Sequence, residues 1–334
     1  MSLAFRPRPR TSASRALLAC AVTGVLALAG CSSRAASQST SASGITPAAL
    51  DLLTRSGSYT SNEKALSLAE SELIHSCMQA LRFPYVVDTS APPDLGVDLS
   101  QRGVQGYGLY AQYASSASHE STSSAATKAA KKTNDQYIRR LPEKQATAFM
   151  RALRGTTSDL RDIRMPGTTL TLSIRGCEPA ARKRLYGSMV TYAQLRSVPQ
   201  NLSATLDTRV QHDPGFSALM RKWSTCMTAA GYHYALPADA QDQLKAAYRK
   251  QGATAALRRR EIAVATADGE CALRLRIPTH VITIRKRLAA TALTAQQQLA
   301  MNQLANEWLT AATTAKHEHV TAVQSSDAGG QGQG

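Results

Sequence analysis

The stretch FSALMRKWSTCMTAAGYHY, residues 216–234, constrains the fold more than any other part of the chain. Its apolar residues Phe216, Leu219, Met220, Trp223, Cys226, Met227 and Ala230 recur in steps of three and four. That spacing puts them on one stripe of a helix, with a cysteine beside the bulkiest side chain. Gly231 is suited to the left-handed residue that ends such a helix. A looser copy, IHSCMQALRFPY, occupies residues 74–85. Cys77, Met78, Ala80 and Tyr85 match Cys226, Met227, Ala229 and Tyr234, and Phe83 matches Tyr232. Two Cys-Met helices predict two helical units, one over residues 45–201 and one over 202–323.

A chain of 334 residues can bury a sizeable core in each unit. Only 5% of it is aromatic and alanine is abundant, which favours closely approaching helices. The expected fold is mainly α, with at most a small β-ribbon. The formal net charge of +16 favours anionic partners through long-range attraction.

Residues 1–30 read as an export signal. Arg6, Arg8, Arg10 and Arg15 precede an apolar run over 16–29, which is too short to span a bilayer of about 30 Å as a helix. The run ends in Leu28-Ala29-Gly30-Cys31, which resembles the bacterial lipobox. That resemblance implies diacylglycerol on the Cys31 thiol and cleavage just before it. Two acyl chains hold a protein stably on a membrane. The competing readings are an ordinary signal peptide or an uncleaved anchor that happens to contain a cysteine. Residues 31–44, rich in serine and alanine, read as a flexible tether. The expected location is the outer face of the plasma membrane in a Gram-positive-type envelope.

Along the mature chain, a first long helix is expected over 61–82, capped by Ser61, with Leu66, Leu73, Ile74, Cys77, Met78 and Leu81 as its apolar face. The low-complexity stretch 114–132 is expected to be a mobile insertion. A short amphipathic helix over 142–153 should close at Gly155. The alternating, β-branched TTLTLSI at 168–174 is the best strand and could pair with 85–87. Beyond Pro278, residues 279–322 read as one long helix. The Gly/Gln-rich end, 324–334, reads as a disordered tail.

With Cys31 acylated and Cys20 removed with the signal, Cys77, Cys177, Cys226 and Cys271 remain. Export favours pairing, and four cysteines allow three connectivities. Cys77–Cys177 with Cys226–Cys271 is preferred, because each bridge then closes within one unit. The chain-entropy model assigns about 4–5 kcal/mol to loops of these lengths. Unpaired core thiols are the alternative. Singly scattered cysteines do not suit a metal site.

No catalytic motif is complete. Ser61-Asn62-Glu63-Lys64 matches S-x-x-K but lacks the accompanying boxes. His317 and His319 are two apart on a helix and point to different faces. Asp239 and Asp242 lie on a polar, alanine-rich helix. No metal or cofactor is expected. The densest basic region holds Arg258, Arg259 and Arg260, then Arg274 and Arg276, then Arg285, Lys286 and Arg287. A solvated helix face is one reading. The other is an extended stripe for anionic wall polymer or lipid headgroups. Nucleic acid is a poor fit for an exported chain without interleaved aromatics.

WSTCMTAAGYHY followed by IAVATADGEC resembles the W-x-x-C-M-x-x-x-G-[YF]-x-Y … A-x-A-D-x-x-C pattern of secreted and lipid-anchored actinobacterial proteins that have no established activity. GYGLY, ALRG and GCEPAARKRLYG resemble the first half of that family. The resemblance implies a helical fold, paired cysteines and a cell-surface location. Arg82 stands where the first motif usually has glycine, and Thr266 interrupts the A-x-A-D run. The function expected from all of this is a non-enzymatic surface lipoprotein that binds or organises anionic envelope components. The alternatives are an envelope hydrolase with an unrecognised active site, or a solute-receptor lipoprotein.

Overall fold

The computed structural model describes residues 44–89, 99–114, 125–165 and 167–330. The expected export signal, Cys31, nearly all of the tether and residues 115–124 of the expected insertion lie outside this range. The fold is mainly α, with one two-stranded ribbon and two disulfides among the described residues.

Helix α1 (Pro47–Thr54) starts behind Thr46, whose hydroxyl accepts the Ala49 N–H. Helix α2 (Tyr59–Ala80) begins two residues earlier than its sequence suggests. Ser61 therefore sits inside the first turn and donates to the Ser58 carbonyl instead of capping. Leu66, Ile74 and Met78 are buried as expected, but Leu81 lies beyond the helix and is 51% exposed. Two short helices follow, α3 (Arg102–Gln105) and α4 (Leu109–Ala114). Helix α5 (Ala125–Arg140) takes in the last residues of the expected insertion. Helix α6 (Glu143–Arg154) closes at Gly155, which has φ 72°.

Strand β1 (Leu160–Met165) pairs antiparallel with β2 (Thr168–Ser173), Ile163 opposite Leu170. The expected partner, 85–87, is occupied elsewhere. The Asn134 side-chain amide donates to the Val86 carbonyl and accepts its N–H. A local hairpin also has a shorter loop to close.

Helices α7 (Cys177–Tyr186) and α8 (Met189–Gln211) are separated at Gly187, and Ser188 caps α8 through the Thr191 N–H. Then come α9 (Pro214–Ala229), α10 (Pro237–Gln251), α11 (Ala255–Arg274), α12 (Ile277–Ala292) and α13 (Ala295–Gly330). The single helix expected over 279–322 is broken at Leu293 and Thr294. There Thr294 and Gln297 exchange backbone-to-side-chain hydrogen bonds, a capping box that starts a new helix. Helix α13 reaches Gly330, so residues 324–330 of the expected disordered tail are helical.

One core joins α1, α2, α7 and α8 to α12 and α13, around Leu53, Leu66, Leu206, Met301 and Trp308. A second joins α4, α9, α10 and α11 around Trp223, Met227, Leu244, Tyr248 and Val264. A third joins α2, α6 and α7 around Met78, Phe149 and Cys177. Helix α8 runs straight through residues 201 and 202, and α13 packs against the first Cys-Met helix. Cys77–Cys177 ties α2 to α7, and Cys226–Cys271 ties α9 to α11.

The two Cys-Met helices end alike. The Phe83 N–H donates to the Met78 carbonyl at 2.9 Å, and the Tyr232 N–H to the Met227 carbonyl at 2.8 Å. Ser224, two residues before its cysteine, donates to the Tyr234 carbonyl, and His75 occupies the same place against the Tyr85 carbonyl. The residue that turns the chain is Gly231 at φ 87° in one copy and Arg82 at φ 61° in the other. A side chain in the left-handed region costs roughly 1–2 kcal/mol. Arg82→Gly should therefore stabilise the domain by about 1 kcal/mol in urea unfolding, and a loss of stability would contradict this account.

Candidate functional site

Helix α11 has two unlike faces. Leu257, Glu261, Val264, Ala265, Asp268, Cys271 and Ala272 are buried. Their spacing leaves the consecutive Arg258, Arg259 and Arg260 on the solvent side, all exposed. Gly252, at φ 69°, ends α10, and the Thr254 hydroxyl caps α11 through the Leu257 N–H. Arg249 and Lys250 lie in the last turn of α10 and are also exposed. Five cations thus flank one tight turn. The Arg258 guanidinium lies 5.1 Å from the Tyr110 ring centroid, and Arg260 donates to the Gln243 amide oxygen. Among the described residues none of the five has a carboxylate partner within salt-bridge distance. Arg249 and Lys250 were missed in the sequence because Gly252 and Thr254 separate two short basic runs that only the turn brings together.

The second basic triplet is placed differently. Lys286 meets Asp51 of α1 at 2.9 Å, and Arg285 meets Asp207 of α8 at 3.5 Å and bonds Ser203. Arg287 pairs with Asp213, which also caps α9 by accepting the Gly215 and Phe216 N–H groups. The Arg287 hydrogen bond holds the Asp213 carboxyl below the usual carboxylate range despite the opposing cost of burial. Burial also opposes ionisation of Asp51, but the Ser58 N–H and Lys286 outweigh it and lower its pKa. The chain leaves α11 through Arg276, at φ 49°, and α12 packs on α8, α9 and α1. The second triplet thus fastens helices together, while Arg274 and Arg276, at the C-terminal end of α11, are exposed and have no carboxylate within salt-bridge distance among the described residues.

The buried face of α11 holds two carboxylates. Glu261 is fully buried and accepts the N–H groups of Tyr107, Leu109 and Tyr110, each at 2.8 Å, and the Tyr248 hydroxyl at 2.7 Å. Gly106 and Gly108, at φ 64° and 78°, turn the GYGLY backbone so that those N–H groups converge into a nest. A Cβ on Gly106 would stand 2.8 Å from the Glu261 side chain. Asp268, one turn pair along, accepts from the Trp223 indole at 2.8 Å, the Tyr107 hydroxyl at 2.9 Å and the Arg102 guanidinium. Burial first, and then the adjoining carboxylates, push the Tyr107 and Tyr248 hydroxyls well above their usual pKa. Both carboxylates act as acceptors that clamp the 102–114 segment onto α11.

A cleft with about 340 Å³ of room runs between α2, α7 and α8. In it Arg182 pairs with Glu70 at 2.8 Å and Arg196 with Glu63 at 3.1 Å, while both guanidiniums lie against Tyr192. Glu63 also accepts from the Trp308 indole at 3.0 Å. These pairs satisfy each other across the helices. Of the other residues weighed from sequence, Ser61 is exposed and bonded to its own helix. His319 faces Glu72, Asp239 caps α10 through the Leu236 N–H, and Asp242 pairs with Lys245. Among the described residues no group of three potential ligands could hold a metal, and no helix is long and apolar enough to cross a membrane. No protein-family model, curated protein or solved structure matches this chain.

Proposed function

We propose that this chain is a non-enzymatic lipoprotein, held on the outer face of the plasma membrane through lipid on Cys31, that binds anionic components of the cell envelope. The observation that carries the reading is the turn between α10 and α11, where Arg249, Lys250, Arg258, Arg259 and Arg260 stand exposed with no acidic partner among the described residues. Unpaired cations on rigid helix ends keep their charge available, whereas Arg285, Lys286 and Arg287 spend theirs on Asp207, Asp51 and Asp213. The lipobox-like Leu28-Ala29-Gly30-Cys31 and the resemblance to surface lipoproteins support the location.

The domain of residues 44–330 should bind isolated envelope fractions with an affinity that falls steeply with salt, because such attraction is screened over about 8 Å at physiological ionic strength. Arg258→Gln, Arg259→Gln and Arg260→Gln together should weaken that binding at least tenfold. The matching triple change at Arg285, Lys286 and Arg287 should leave affinity nearly unchanged but lower the melting temperature. Cys31→Ala should abolish incorporation of a fatty-acid label. Binding indifferent to salt and to the first triple change would sink the anion reading, and equal label in wild type and Cys31→Ala would sink the anchor.

A further inference from the structure

We infer that α10 and α11 form a peptide-binding groove, that residues 99–114 fill it as a ligand within the chain, and that the same segment of a second copy takes the seat when two copies meet. The anion-binding reading above is not needed for this. The occupant is known from the segment already seated there.

The groove is built without the segment. Glu261 and Asp268, at 0% and 2% exposure, are each held from behind. The Tyr248 hydroxyl of α10 donates to Glu261 at 2.7 Å, and the Trp223 indole of α9 donates to Asp268 at 2.8 Å. Neither bond involves the segment, so both acceptors stay aimed at the seat when it is empty. Gly269, inside α11, opens room for a second backbone. A Cβ there would stand 3.3 Å from the Arg102 side chain and 3.4 Å from the Leu99 carbonyl oxygen. Glycine weakens a helix interior, and here it serves that close approach.

The segment is held as a ligand is held. Glu261 takes the backbone N–H groups of Tyr107, Leu109 and Tyr110, and Asp268 takes the Arg102 guanidinium and the Tyr107 hydroxyl. Leu109, at 5% exposure, fills the apolar seat, while Val104 is 66% exposed. The segment contains no cysteine, so neither disulfide fastens it. When it leaves, it uncovers two carboxylates, which water solvates well, and the seat of one leucine. Such a segment opens before the cores do.

The groove therefore selects an arginine, then a turn with left-handed backbone at two glycines, then a leucine. Residues 102–110, RGVQGYGLY, supply all of these, and a second copy presents the same set. Nine residues, 90–98, precede the segment, and ten, 115–124, separate it from α5. Stretches of that length span up to about 30 Å each, enough for the segment to leave its seat while α2 and α5 keep theirs. Exchange between copies replaces every bond by its equal, which makes it a low-cost route to a dimer.

Two substitutions in the full chain separate segment from groove. Gly106→Val spoils the segment, because a Cβ at 106 stands 2.8 Å from the Glu261 side chain at a φ of 64°. Gly269→Leu blocks the groove while favouring the α11 helix. A fluorescent peptide of residues 99–114 should bind the Gly106→Val chain at least about tenfold more tightly than the wild type, whose own segment competes at roughly millimolar effective concentration. Gly106→Val in the peptide, or Gly269→Leu added to the chain, should abolish that binding. Mixing the Gly106→Val chain with the Gly269→Leu chain should give a one-to-one complex in sedimentation that neither forms alone. Equal peptide affinity for wild type and Gly106→Val would overturn the groove, and a mixture that sediments as its separate parts would overturn exchange between copies. Hydrogen exchange on the wild type decides the matter even if Gly106→Val fails to fold. The Tyr107, Leu109 and Tyr110 amides should exchange at least tenfold faster than those of Val264 and Ala265 in α11. Exchange of both sets at one rate would make the segment part of the core and overturn the inference.

Discussion

Glu261→Ala should cost the domain about 5 kcal/mol, close to the whole stability of many single domains. The change strands three backbone N–H groups and the Tyr248 hydroxyl in a site from which water is excluded. Each buried polar group left without a partner costs about 1–3 kcal/mol. Glu261→Gln keeps the shape but replaces one acceptor oxygen with an amide that points hydrogens at donors, so it should cost less, about 2–4 kcal/mol. Urea unfolding followed by circular dichroism measures both. Hydrogen exchange gives a local reading, since the amides of Tyr107, Leu109 and Tyr110 should lose protection before the rest of the core. A loss under 1 kcal/mol for Glu261→Ala would mean that the nest does not hold the 102–114 segment.

Trp223→Ala should cost about 4 kcal/mol. Its indole is fully buried in the second core, and removing a large aromatic from a packed interior leaves a cavity worth roughly 3–5 kcal/mol. The indole N–H also serves Asp268, so the substitution leaves a buried carboxylate short of one donor. Trp223→Phe separates the two effects. It keeps most of the packed ring and loses only the hydrogen bond, for an expected cost of about 1–3 kcal/mol. If Phe is as damaging as Ala, the bond to Asp268 carries the site; if Ala is harmless, Trp223 is not in the core at all. Thermal unfolding of the 44–330 domain decides between these.

Both predictions concern residues whose legibility in the sequence differed. Trp223, Leu219, Met220 and Met227 stand out because an amphipathic helix repeats every 3.6 residues, and they prove buried. Ala230, at the end of the same stripe, is exposed because α9 has already ended there. Glu261 is invisible to that logic. A charged residue next to three arginines reads as part of a solvated face, and nothing local says that four donors await it from a segment more than 150 residues earlier and from α10. The GYGLY glycines were the available signal. Two glycines flanking a tyrosine mark a turn with left-handed backbone, but not what that turn encloses.

The sequence by itself determined the features that depend on neighbours along the chain. These are the helical stripes, the glycine that ends the Cys-Met helix, and the strand at 168–173. Its preferred cysteine pairing followed from the repeat and agrees with the bridges formed. The tertiary structure alone decided which strand partners β2, where the last long helix breaks, and above all which cations remain free. Arg258–Arg260 and Arg285–Arg287 look equivalent as text. Their difference lies in Asp51, Asp207 and Asp213, carried on three other elements, one of them 235 residues from its partner. Periodicity is a property of one helix and can be read from it. Charge compensation belongs to the space between helices, and exists only once the cores have fixed which surfaces meet.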